Sequence, residues 1–146
     1  MSEYQRLSDV EEIKKLKARY CRFVDTRNWY GLRSLFTDDA RSTLGGDDQS
    51  VDDFISLARE WLGDATSVHS VSMPEIEITG LGTASGIWGM EDIVIFPVHA
   101  GEAPKGIHGW GHYLEEYRKM NGHWLIHRMD LHRLRLDPLE GGFPGA

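Results

Sequence analysis

The sequence predicts an α+β fold in which N-terminal helices pack on one face of a curved, cone-shaped sheet that is antiparallel or mixed. Helical patterns occur only in the first part of the chain, up to about residue 61, and long strand-like segments follow. The last two of these segments are joined by Asn121-Gly122, a strong signal for a hairpin. Helices followed by a meander of strands are typical of α+β proteins, and the mouth of such a cone is a natural ligand pocket.

Composition indicates an ordinary globular chain of 146 residues, with 40% hydrophobic and 27% charged residues. We expect one domain over 1–146, with a core at about 8–136 and a loosely ordered, Gly/Pro-rich tail at 137–146. The net charge of −7 disfavours a nucleic-acid partner, because phosphate binding needs a basic surface. A single cysteine, Cys21, excludes an internal disulfide and favours the cytoplasm. No segment is apolar enough for a leader or a membrane span, so no membrane partner is expected.

The first helix is expected to begin at Ser8, because Ser8 and Glu11 form a capping-box pattern. Apolar residues then recur at helical spacing and form one stripe: Val10, Ile13, Leu16, Tyr20, Phe23 and Val24. The elements expected next are a helix over 29–36, a short strand over 41–44, and a helix from Ser50 to about Trp61.

Four strands are expected over 66–79, 83–97, 107–120 and 123–136. In the first of them the apolar alternation changes parity at Pro74: Ile76 and Ile78 follow one phase, whereas His69 and Val71 follow the other. A bulge or bend at the proline would turn both sets toward the interior. The pattern therefore predicts that His69 points into an apolar interior, together with Met73.

An imidazole that faces an apolar pocket is a competent base when a carboxylate orients it, although a hydrogen-bonded core histidine is the alternative for His69. Asp25 lies beside the apolar stripe of the first helix, either solvated near the helix end or directed into the pocket. Tyr20 is in the middle of the stripe, so its hydroxyl needs a partner. Asp92 lies on a strand with two apolar faces, and a buried carboxylate must be paired.

Aromatic and sulfur-containing side chains supply most of the expected pocket lining. The side chains expected to bind the substrate are Trp29, Phe54, Trp61, Met73, Trp88, Met90, Trp110 and His112. The strand arginines, Arg128, Arg133 and Arg135, alternate with apolar residues and are expected on the solvent side, so no cation is expected in the cone. A neutral hydrophobic small molecule is therefore the expected ligand.

Metal and cofactor chemistry is not expected. His108 and His112 are four residues apart, and on a strand this spacing spans roughly 13 Å, too far to share one metal ion. The glycines of "GLGTASG" lack the spacing of a dinucleotide-binding loop, and the chain has no G-x-S-x-G nucleophile motif.

Three segments resemble a known family: "EEIKKLKARYCRFVDTRNWYGLRSLFTDDA", "HSVSMPEIEI" and "GHYLEEYRKMNGHWLIHR". They are similar to the SnoaL-like branch of the nuclear transport factor two-like superfamily, and the resemblance extends over about residues 8–136. Within the superfamily the chain looks closest to the bile acid 7α-dehydratases, which the segment "MEDIVIF" also resembles. Scytalone dehydratase and a dehydrochlorinase of chlorinated cyclohexanes are more distant.

This resemblance implies a cystatin-like α+β barrel with an Asp25–His69 dyad, in which His69 is the general base and Asp25 holds its tautomer. It also implies catalytic roles for Tyr20 and Asp92. The implied activity is a cofactor-independent dehydratase, a lyase. The apolar lining described above favours a hydroxylated polycyclic or aromatic substrate of steroid or polyketide size. The alternatives are an isomerase of the ketosteroid type in the same pocket and a non-catalytic binding module. The relatives imply a homotrimer, or else a dimer.

Overall fold

The computed structural model describes residues 1–145, and in this range the chain forms three helices and one six-stranded mixed sheet. The helices are α1 (Glu3–Asp25), α2 (Trp29–Ser34) and α3 (Val51–Leu62). The strands are β1 (Phe36–Ser42), β2 (Gln49–Ser50), β3 (Thr66–Ile78), β4 (Thr83–Phe96), β5 (Lys105–Met120) and β6 (His123–Pro138). The predicted α+β class is confirmed.

The strands follow the order β2-β1-β6-β5-β4-β3 in the sheet. β3 to β6 form the predicted antiparallel meander, and β1 runs parallel to β6, which makes the sheet mixed. Asn121 and Gly122 have φ values of 52° and 81°, as a tight two-residue hairpin turn requires. Met120 pairs with His123 across this turn, so the predicted hairpin is confirmed.

Two boundaries near the N-terminus differ from the prediction. The N-cap of α1 is Ser2, whose Oγ accepts a hydrogen bond from the Gln5 backbone N–H at 3.0 Å, so Ser8 lies inside the helix. The helix thus begins six residues earlier than predicted, and the Gln5 side chain donates forward to Asp9 Oδ1 at 3.1 Å instead of back to Ser2. β1 already begins at Phe36, because Phe36 pairs with Ile126 of β6.

The predicted change of parity in β3 is confirmed. The pairing of β3 with β4 shifts between Ser72 and Glu75, and Met73 takes a φ of 44° there. His69 and Pro74 consequently lie on the inner side of the sheet despite their different parity. Met73 is the bulged residue, with 87% of its surface exposed, so its expected place in the interior is wrong.

The tail is more ordered than predicted. β6 extends to Pro138, and Leu139 then forms a bridge with Gly142. Gly106 accepts a hydrogen bond from the Leu139 N–H and donates one to the Gly142 carbonyl, both at 3.0 Å. These backbone bonds hold the chain across the start of β5, so a loose tail from residue 137 is wrong up to residue 142. Ala146 lies outside the described residues.

Asp9 links the first helix to the far end of the β5–β6 hairpin. Its buried carboxylate accepts hydrogen bonds from Trp124 Nε1 at 3.0 Å and Lys119 Nζ at 3.1 Å. The helix is thereby fixed across the inner face of the sheet. Among residues 1–145, no helix is long and apolar enough to cross a membrane.

Candidate active site

A cavity of about 1000 Å³ lies between the helices and the inner face of the sheet. Most of its wall is apolar, from α3, β4 and β6, and the tail residues Phe143 and Pro144 lie at its edge. The polar side chains in its lining are Tyr20, Glu60, His69, Asp92, Tyr113 and Arg133. A large apolar cavity with a few converging polar groups is the usual form of a small-molecule site.

Asp25 and His69 are in direct contact. Asp25 is the last residue of α1, and its Oδ1 lies 2.7 Å from His69 Nδ1. Its Oδ2 accepts the backbone N–H of His69 at 2.8 Å, and Ser67 Oγ donates to Oδ1 at 2.9 Å. Because a carboxylate only accepts, Nδ1 carries a proton that it donates to Asp25, and Nε2 is the nitrogen left to interact with other groups. The carboxylate therefore fixes both the tautomer and the orientation of the ring.

Ser67, which donates to Asp25, is itself held by Arg27. Arg27 Nη1 donates to Ser67 Oγ and to the carbonyl of Val24, each at 2.8 Å. Arg27 also has a φ of 61°, which turns the chain away from α1 directly after the helix. The end of the helix and the start of β3 are thus joined by one chain of hydrogen bonds behind the Asp25–His69 contact.

An ion pair between Asp92 and Arg133 lies on the other side of the imidazole. Asp92 is opposite His69 in the pairing of β3 with β4, and its Oδ2 is 3.9 Å from His69 Nε2. Arg133 Nη1 and Nη2 each donate to one oxygen of Asp92 at 2.9 Å. These hydrogen bonds raise the pKa of Arg133, so it remains a cation. The Asp92 carboxylate, only 4% exposed, is therefore paired as a buried charge requires.

Arg133 contradicts the prediction that the strand arginines face solvent. The pairing of β5 with β6 shifts beside it, because Trp110 pairs with Arg135 whereas Gly111 pairs with Arg133. Leu134 is the extra residue, and this bulge lets Arg133 share the inner face with Leu131. Arg135 lies beyond the bulge and is exposed, as predicted.

Two buried tyrosines form the floor of the cavity. The rings of Tyr20 and Tyr113 meet edge to face, with centroids 5.9 Å apart. Burial raises the pKa of both hydroxyls well above the ordinary value, so both keep their protons at neutral pH. Beneath them Lys17 Nζ lies 3.8 Å from the Tyr20 ring centroid and 2.6 Å from a carboxylate oxygen of Glu115.

Neither Lys17 nor Glu115 is predicted from the sequence, although both are fully buried. The signal was present for each. Lys17 falls on the apolar stripe, four residues after Ile13 and three before Tyr20, and Glu115 has the inward parity of Tyr113. When two residues of opposite charge both occupy inward positions, on a helix and on a strand, the pattern indicates that they form a buried ion pair.

Comparison with known proteins identifies the family. Residues 5–130 match the model of the SnoaL-like domain. The chain belongs to this family. A probable cyclase from Gibberella zeae is 29% identical over 134 residues, which cover 84% of this chain and 89% of the relative. The predicted family is therefore confirmed, whereas the closer relation to bile acid 7α-dehydratases stays a prediction.

Solved structures support the same fold for this SnoaL-like domain. A type 2 hexachlorocyclohexane dehydrochlorinase superimposes with a TM-score of 0.81 at 21% identity, covering 99% of this chain and 100% of the other. A candidate scytalone dehydratase from Novosphingobium aromaticivorans gives a TM-score of 0.78 at 18% identity, with 96% and 95% covered. At these identities the similarity establishes the fold alone, a curved sheet with helices packed on its inner face.

Only part of the expected lining reaches the cavity of the SnoaL-like domain. Phe54 and Trp61 do, and Trp61 meets Phe96 edge to face at 5.2 Å. Trp88 is buried in the core, where its Nε1 donates to the Tyr117 hydroxyl at 2.9 Å.

The other expected lining residues lie elsewhere. Met90 is buried in the core, and Trp29 is partly buried and packs against the core. Neither residue belongs to the cavity lining. Trp110 and His112 are on the outer face of β5, because Tyr113 has the opposite parity and points inward. Met73 is excluded by the bulge. These placements correct the sequence-based lining.

No group of three or more His, Cys, Asp or Glu side chains within residues 1–145 is arranged to hold a metal ion. Cys21 is buried, and burial raises its pKa to about 11, so the thiol keeps its proton at neutral pH. The side chains that converge on the cavity are therefore suited to acid–base chemistry rather than to thiolate attack.

Proposed function

We propose that this protein is a cofactor-independent lyase, a dehydratase that uses His69 as its general base. The family and the cavity support an enzyme that converts a small molecule. The observation that favours general base catalysis is the 2.7 Å contact between Asp25 and His69 Nδ1. The carboxylate orients the ring, and Nε2 is then the nitrogen that takes the proton from a substrate in the cavity.

The charges around His69 are placed to stabilise the imidazolium that proton abstraction would produce. Asp25 and Asp92 lie on opposite sides of the ring, and Arg133 balances one of these two negative charges. With neutral His69 the cluster keeps one net negative charge, and the proton taken from the substrate cancels it. Such preorganised charges stabilise an imidazolium without reorganisation during the reaction.

Elimination of water requires a second proton, which must reach the leaving hydroxyl. Tyr20 is placed to give it, because its ring lies in the cavity lining and its hydroxyl is protonated at neutral pH. Burial makes this phenol a weak acid, so the proton moves only as the C–O bond breaks and the leaving oxygen becomes the stronger base. In this scheme the substrate C–H bond breaks toward His69 Nε2, a double bond forms, and the C–O bond breaks with the hydroxyl leaving as water. A proton then passes from the imidazolium back to the tyrosinate through solvent. Asp92 serves as a charge partner rather than as the acid.

The substrate proposed is a neutral, hydroxylated polycyclic or aromatic molecule of steroid or polyketide size. The cavity volume of about 1000 Å³ suits a ligand of this size. Arg133 is a cation in the wall, but Asp92 neutralises it, so its remaining N–H groups favour a carbonyl or hydroxyl oxygen over a carboxylate.

Thermal-shift screening tests this substrate class. Neutral polycyclic compounds are expected to raise the melting temperature by about 5–10 °C at roughly 100 times their Kd, because they bind only the folded state. Trp61→Ala should reduce the shift, whereas Trp110→Ala, a matched change on the outer face, should not. Stabilisation by small charged acids, with none by polycyclic compounds, would contradict the proposal.

An isomerase of the ketosteroid type is the second candidate, because the same base would serve it. It would return the abstracted proton to another carbon, and its product would keep the mass of the substrate. Release of water or a new conjugated chromophore separates the dehydratase from the isomerase. A non-catalytic binding module would give neither product.

We also propose that the chain forms a homotrimer, with a dimer as the alternative. The outer face of the sheet exposes apolar side chains of β3 and β4, among them Val68, Ile87 and Ile95, and exposed apolar surface of this kind favours a partner. Sedimentation equilibrium is expected to give a trimer at micromolar concentration. Ile87→Glu combined with Ile95→Glu should dissociate it, whereas Leu7→Glu on α1 should not. A wild-type monomer would exclude the proposed assembly.

A further inference from the structure

Gly109 lies directly beneath the Asp92–Arg133 ion pair. It is in the middle of β5, pairs with Asp92 on one side and with Leu136 on the other, and is buried on the inner face of the sheet. A Cβ atom at this position would lie 2.1 Å from Arg133 Nη1 and 2.5 Å from Asp92 Oδ1. The ion pair therefore occupies the space that any side chain at residue 109 would need.

The backbone gives no other reason for glycine here. Gly109 is not among the residues with positive φ, so alanine could adopt its conformation, in contrast to Gly106, whose φ is 149°. A glycine inside a strand is generally unfavourable, because it packs poorly and loses more entropy on folding. The space that the Asp92–Arg133 ion pair occupies explains why residue 109 is a glycine.

We propose that Gly109 is a positioning residue for the active site, because its missing side chain lets the ion pair lie close against the sheet. The height of Asp92 above the sheet fixes the distance of 3.9 Å between its Oδ2 and His69 Nε2. A methyl group at residue 109 would push the pair away from the sheet and change its position relative to the imidazole. The inference rests on the proposed function only in giving the ion pair a role in catalysis.

The placement of the ion pair against Gly109 can be tested with two variants, and neither measurement requires a substrate. Gly109→Ala is expected to lower the melting temperature by about 5–10 °C, as overpacking does in a filled interior. The same change in a background that carries Asp92→Ala and Arg133→Ala should cost almost nothing, because the atoms that clash are gone. A general requirement for glycine in the strand would cost the same in both backgrounds, and that result would overturn the proposal.

NMR of the imidazole provides the second measurement. The ring resonances of His69 are expected to shift in Gly109→Ala and to stay unchanged in Gly89→Ala. Gly89 is a suitable control because it lies on the outer face of β4, where a Cβ would approach Ser72 no closer than 3.3 Å. Unmoved His69 resonances in Gly109→Ala would overturn the proposal. Both measurements concern the free protein, so an absence of enzyme activity would refute the proposed function and leave this inference to be judged separately.

Discussion

His69→Ala and Asp25→Asn are each expected to lower turnover by about 10²–10⁴-fold, the usual contribution of a general base, while the fold survives. His69→Ala removes the base itself. Asp25→Asn replaces the acceptor of the Nδ1 proton with a group that can also donate, which favours the wrong tautomer and removes a charge that stabilises the imidazolium. Steady-state kinetics on a substrate found by screening, with thermal melting as the test of folding, measures both effects.

The histidines provide an internal control for this prediction. The ring resonances of His69 should respond to Asp25→Asn, whereas those of His112, exposed on the outer face of β5, should not. Full activity in either variant would contradict the assignment of the dyad. A His69 ring that is insensitive to Asp25→Asn would favour a packed histidine in a binding module instead.

Lys17→Met is expected to lower the free energy of unfolding by about 3–5 kcal/mol, the usual cost of removing one partner of a buried ion pair. Glu115 would keep the hydrogen bond from the Tyr117 hydroxyl at 2.7 Å but lose the ammonium at 2.6 Å. The buried carboxylate would then be an unpaired charge in an apolar core. Urea unfolding measures the loss.

Combining Lys17→Met with Glu115→Gln should recover most of that stability, because no unpaired charge is left. Lys15→Met is the matched control, since Lys15 is on the same helix and its contact with Glu12 is half exposed. This control should change stability little. Equal unfolding midpoints for Lys17→Met and the wild type would show that the buried pair does not contribute as described.

The main features of the fold could be predicted because each has a local signal. The helical stripe of α1, the Asn121-Gly122 turn and the parity change at Pro74 are all visible in short segments. The bulge in β6 has no such signal: around Leu134, arginines and leucines alternate, and either phase could face inward. Its position depends on pairing with β5, a long-range contact, so the sequence pattern alone places Arg133 on the wrong face.

The residues of the candidate site also divide into those that the sequence predicts and those that depend on long-range contacts. Asp25 and His69 were expected to meet because the family resemblance pairs them, and they do lie in contact. Trp110 and His112 were expected in the lining on residue type alone, although the inward parity of Tyr113 places them outside. Lys17 lies in the apolar stripe, but its partner Glu115 is on β5, so the buried pair depends on a long-range contact that no short segment indicates.

Mass spectrometry of a screened ligand incubated with the protein in D₂O tests the central proposal most directly. Wild-type protein is expected to give a product that is lighter than the ligand by the mass of one water. His69→Ala should form this product at least 100-fold more slowly. Recovery of the bound ligand unchanged, with neither water lost nor deuterium incorporated, would contradict proton abstraction by the Asp25–His69 dyad.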